Sequence, residues 1–86
     1  MIKIRQIVWD KWNKEHIKKH KIEEEEVEDA CRQVLKSFRT YGGRILILGK
    51  TSKGRFLTIV LAREKEGGYY VVTARDMGKK ERRLVK

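Results

Sequence analysis

Hydrophobic and polar positions along the chain change period once, near residue 41. On the N-terminal side, Ile2, Ile4, Ile7 and Val8 predict a short first strand ending near Trp9. Asp10 suits a helix N-cap, and Trp12, His16, Ile17 and His20 follow at helical spacing, which predicts a first helix over 11–20. A second helix opens at Glu23 to Glu26, whose carboxylates suit the positive end of a helix dipole. Its apolar stripe is Val27, Ala30, Cys31 and Val34, at i, i+3, i+4 and i+7. The segment Val34 to Arg39 reads two ways. Phe38 continues the helical stripe, yet the same residues would also serve as an edge strand.

Beyond Tyr41-Gly42-Gly43 the segments 44–49, 55–63 and 69–75 are rich in Ile, Leu, Val and aromatics. Thr51 to Gly54 and Glu64 to Gly68 separate them with glycine-containing turns of hairpin length. Three to four strands in an antiparallel meander are therefore expected, closed by a short helix near 79–85. The expected class is α+β: a strand and two helices first, then a sheet, with the helices packed on one face. Alternation along the last strand predicts Tyr70, Val72 and Ala74 against the helices. Tyr69, Val71, Thr73 and Arg75 would then lie on the open side.

Charge sharpens this picture. The 86 residues, a length suited to one domain (1–86), carry 22 Lys and Arg against 12 Asp and Glu, a formal net charge of +10. Charged residues are 40% of the chain, against about 25% for an average soluble domain, while another 40% is hydrophobic and sufficient for a core. A surplus of this size favours polyanionic partners, although Lys and Glu also simply solubilise many small domains. The acid is concentrated in the block Glu23 to Asp29, leaving the rest more basic, and Lys79 to Lys86 is the densest basic segment. Apolar runs such as Phe56 to Ala62 fall far short of the roughly 20 residues of a membrane span, and the first residues do not read as a signal peptide. A single cysteine, Cys31, on the apolar stripe, fits a reduced, cytoplasmic protein without a disulfide.

Candidate chemistry is sparse. His16 and His20 stand at i, i+4, a spacing that can bind metal, but no third ligand is evident and no metal site is expected. Gly42-Gly43 and Gly67-Gly68 lack the patterns of phosphate loops, and no cofactor motif is present. An enzyme built from Arg, Lys, His, Glu and Tyr suits phosphodiester chemistry in RNA. There the substrate supplies its own 2′-hydroxyl nucleophile, and the protein positions the strand, neutralises charge and moves protons.

Three strings carry a resemblance. Trp12-Asn13-x-x-His16-Ile17-x-x-His20-x-Ile22 followed by Glu25-Glu26-Val27-Glu28 resembles the opening of BrnT-family proteins. Gly49-Lys50-Thr51-x-x-Gly54-Arg55-Phe56-Leu57 resembles that family's central hairpin. Val72 to Met77 with Glu81-Arg82-Arg83 resembles its closing strand and basic helix. The resemblance spans nearly the whole chain. Lys21 stands where relatives usually have Gly, Tyr70 where many carry Arg, and Gly78 where Thr commonly caps the last helix. The resemblance implies a RelE-like fold and a ribonuclease toxin of a type II toxin–antitoxin pair, with a BrnA-like antitoxin as partner. Carried over by position, it makes His20, Arg55 and Arg75 the RNA-processing candidates. Lys53, Lys79, Lys80, Arg82 and Arg83 would hold flanking phosphates of the RNA. Two other readings stay open: a non-catalytic nucleic-acid-binding module, and an interaction protein docking an acidic partner.

Overall fold

The computed structural model describes residues 3–86, so the Ile2 end of the expected first strand lies outside the described residues. The elements run β1 (Ile7–Val8), α1 (Lys11–Lys18), α2 (Glu24–Arg32), β2 (Val34–Arg39), β3 (Arg44–Lys50), β4 (Phe56–Arg63), β5 (Tyr69–Asp76) and α3 (Lys79–Leu84). They form a small α+β domain with a mixed five-stranded sheet in the order β1-β5-β4-β3-β2. Strands β2 to β5 make the antiparallel meander, and β1 joins its far edge parallel to β5.

The first strand pairs only over Ile7–Val8 and ends where a helix cap begins. Asp10 accepts from the Asn13 backbone N–H at 3.0 Å, and the Asn13 side-chain oxygen accepts from the Asp10 N–H at 2.8 Å. The Asn13 amide also donates to the Val8 carbonyl at 2.9 Å, so this buried side chain ties α1 to the end of β1.

The other end of α1 is equally specific. Ile22 N–H donates to the Ile17 carbonyl at 3.1 Å, and Lys21 N–H donates to the Lys18 carbonyl at 2.9 Å. Those two bonds, with Ile17 and Ile22 both buried in the core, make a Schellman stop in which Lys21 is the left-handed residue, at φ 58°. Glycine adopts that conformation without Cβ strain, whereas lysine does not. Lys21→Gly is therefore expected to raise stability by about 0.5–1 kcal/mol, seen as a melting temperature several degrees higher.

Two chemically distinct sheet faces follow from the register. Ile45, Leu61 and Val71 form one cross-strand row and Ile47, Ile59 and Ala74 the next. These rows pack against Ile17, Ile22, Val27, Ala30 and Cys31 of the N-terminal helical segment. Burial pushes the Cys31 thiol pKa up to about 12, which fits a packed, inert side chain. The opposite rows are Phe38, Leu46, Val60 and Thr73, and Lys36, Leu48, Thr58 and Arg75.

Two expectations are corrected here, and one segment that read two ways is resolved. First, α3 packs on this second face rather than with the other helices: Thr58 hydroxyl donates to Glu81 at 3.1 Å, and Arg82 lies over the Phe56 ring at 3.8 Å. Second, simple alternation fails in β5. Leu61 pairs with Val71 but Val60 pairs with Thr73, so a bulge at Val72 lets both Val71 and Ala74 face the core. Arg75 and Thr73 do lie on the face opposite the helices, but Val71 and Tyr69 pack with the core instead. The segment Val34 to Arg39 is the edge strand, not more helix. Gln33 leaves helical geometry at φ −123° and ψ 62°, and its carbonyl accepts from Lys50 N–H, which starts the pairing with β3.

Candidate functional site

Strand β5 ends at the corner where the three RNA-processing candidates lie. Arg55, just before β4, bridges Asp76, the last residue of β5, to the loop that follows α1. Arg55 donates from Nε to Asp76 Oδ1 at 2.7 Å and from Nη2 to Oδ2 at 3.1 Å, a two-pronged pair. Its Nη1 donates to Glu26 at 3.0 Å and to the Lys21 carbonyl at 3.0 Å. One guanidinium thus joins α2, the Schellman loop and two strands.

Arg75 forms a second fork. It donates from Nη1 to Glu81 Oε1 at 2.8 Å and from Nη2 to Oε2 at 2.6 Å, and Nη1 also reaches the Asp76 carbonyl at 3.2 Å. Glu81 additionally accepts from Gly78 N–H at 2.6 Å, so it closes the first turn of α3. His20 lies on the corner's outer side, close enough for its charge to favour the Asp76 carboxylate. Its ring is 5.8 Å from that of His16, whose Nε2 is 3.0 Å from the Thr73 hydroxyl. The sequence singles out His16 beside His20 but not its contact with Thr73, which joins residues far apart in the chain.

The electrostatics follow from these bonds. Arg75, with Gly78 N–H and the Thr58 hydroxyl, holds the Glu81 carboxyl down at about 2. Arg55 lowers Asp76, and Asp76 in turn raises Arg55. Burial alone would raise Glu26, but Glu23 N–H and Arg55 outweigh it and leave its pKa low. All three carboxylates are therefore ionised at neutral pH. Both arginines are permanent cations held in fixed orientations.

The flanking cations divide. Lys79, Lys80, Arg82 and Arg83 are exposed on α3, beside Arg75. Lys53 lines a groove with Glu23, Glu25, Glu26 and Asp29, an acidic groove that shares Glu26 with the Arg55 cluster. Tyr70 donates its hydroxyl to Asp10 at 3.0 Å, supporting the α1 cap rather than the Asp76 corner. Among the described residues, no cluster of three or more metal-ligating side chains converges, and no helix is long and apolar enough to cross a membrane. No family model, curated protein or solved structure matches this chain.

Proposed function

We propose that the protein is a metal-independent ribonuclease of BrnT-like type. In this reading it is a cytoplasmic toxin with a RelE-like fold, neutralised by a BrnA-like antitoxin. The observation that carries it is the gathering of His20, Arg55 and Arg75 around Asp76, on a chain with a net charge of +10. Arg75 and Arg55 present forked donors of the geometry that phosphate oxygens need, now filled by carboxylates of the same shape. A scissile phosphate would take the place of Glu81 on Arg75. The substrate 2′-hydroxyl then attacks phosphorus and gives its proton to His20 as the bond to the 5′-oxygen breaks, and the leaving 5′-oxygen takes a proton from water. Arg75, with Arg55, stabilises the extra charge on the pentacoordinate phosphorus. Lys21 in the left-handed position also supports the resemblance, since relatives usually carry Gly there.

A second reading, a non-catalytic RNA-binding module, is favoured by the same carboxylates, which already satisfy both guanidiniums. Incubating purified protein with single-stranded RNA in chelator decides between them. Cleavage leaving a 2′,3′-cyclic phosphate, lost when the target nucleotide is 2′-deoxy, is the expected result. Salt-dependent binding without cleavage would establish the module instead, and no RNA binding at all would remove both.

A further inference from the structure

The sheet face opposite α1 and α2 is only partly covered. Helix α3 closes its Thr58 end and His16 of α1 reaches Thr73 at the β5 side, while Phe38 and Arg44 on the β2–β3 side stay exposed. There Phe38, Leu46 and Val60 form a cross-strand row. Phe38 is 40% exposed, and Leu46 and Val60 are half-buried, an apolar strip open to solvent. The strands put Lys36, Arg44 and Lys50 on this face, and α3 adds Arg82 over Phe56. None of them makes a salt bridge among the described residues.

A cationic frame around an apolar strip with one exposed aromatic ring selects an occupant that is both anionic and flat. The face already shows how it holds a planar cation, with Arg82 over Phe56 at 3.8 Å and Lys50 on the same ring at 5.3 Å. Phe38 is the equivalent ring left bare. It lies about 13 Å along the strands from the Phe56 row, taking four residues at 3.3 Å each. An acidic peptide would satisfy the cations but leave the ring unused. A duplex would satisfy the cations while keeping its bases stacked on one another.

We propose that this face is a single-strand nucleic-acid site. In it Phe38 stacks an unpaired base, and Lys36, Arg44 and Lys50 contact the phosphates on either side. The proposal rests on the RNA reading above and deepens it. The strand crosses the open sheet and reaches Arg75 at the far end of the same face.

Binding of a labelled, uncleavable 2′-O-methyl RNA single strand tests it. The comparisons are the same strand in a blunt duplex and polyglutamate as competitor. The parent protein is expected to prefer the single strand. Phe38→Ala and Phe38→Leu should weaken single-strand binding about five-fold or more, the low end for one base–aromatic stack, with duplex binding unchanged. Phe38→Trp should retain affinity, which separates stacking from loss of fold. Equal affinity for strand and duplex, or unchanged affinity in Phe38→Ala and Phe38→Leu, overturns the site while leaving RNA binding intact. Displacement by polyglutamate as readily as by single-stranded RNA overturns it in favour of an acidic protein partner. Failure to bind either nucleic acid overturns the RNA reading itself.

Discussion

Gly49→Ala is expected to destabilise the fold by about 3 kcal/mol or more and to lower the melting temperature by more than about 10 °C. Gly49 lies on β3 where α2 crosses it. A Cβ there would be driven into the Ala30 carbonyl oxygen and would stand 3.0 Å from the Ala30 carbonyl carbon. Both are backbone atoms, so no rotamer change relieves the clash. The helix itself must move. Moving it separates Val27, Ala30 and Cys31 from Ile47, Leu57 and Ile59, residues between 0% and 5% exposed. Shortening Ala30 would not help, because its carbonyl remains. The φ of Gly49 is ordinary, so the effect is one of space alone. A thermal melt of the variant settles the point: an unchanged midpoint would mean that α2 slides freely over β3.

Much of the fold was legible in the sequence because its signals are local. The α2 stripe of Val27, Ala30 and Cys31, the Asp10 cap and the two glycine turns each act within a few residues and appear where the pattern puts them. Val34, the expected fourth member of the stripe, instead opens β2. What escaped depends on distant partners. The parallel pairing of Ile7 with Tyr69 is fixed by nothing near Ile7. The Val72 bulge reflects how β5 fits β4, not the composition of β5, so period-two counting placed Val71 on the wrong face. The side of the sheet taken by α3 is set by Glu81 reaching Thr58 and Arg75, which no helical periodicity in six residues encodes.

The candidate site divides in the same way. That Arg55 and Arg75 occupy the ends of strands was readable from their places beside turns and apolar runs. That both are held by carboxylates was not. Asp76 and Glu81 carry no role in the sequence reading, yet they are the present occupants of the two guanidinium forks. Their presence changes what the site must do. A phosphate can bind only by competing with them, so the acids set the affinity of the site as much as the arginines do.

Arg75→Ala is expected to reduce RNA cleavage by about a hundred-fold or more while moving the melting temperature by only a few degrees. Two different roles would link Arg75 to activity: contact with the scissile phosphate, or anchorage of α3 through Glu81. Stability cannot separate them well. The Arg75 side chain is 44% exposed, and a partly solvated ion pair contributes about 0–1 kcal/mol. Glu81→Gln separates them. It removes the charge that competes for Arg75 but leaves the guanidinium in place. If Arg75 contacts phosphate, Glu81→Gln should bind RNA more tightly than the parent and keep cleaving it. If Arg75 serves only to hold α3, Glu81→Gln should lose cleavage as Arg75→Ala does, because both break the same fork. Arg75→Lys adds a third measurement. Lysine keeps the charge but offers no planar fork, so it should recover little of the lost rate where two phosphate oxygens are bound at once. An Arg75→Ala protein that stays folded and cleaves at the parent rate would place the chemistry elsewhere on the surface.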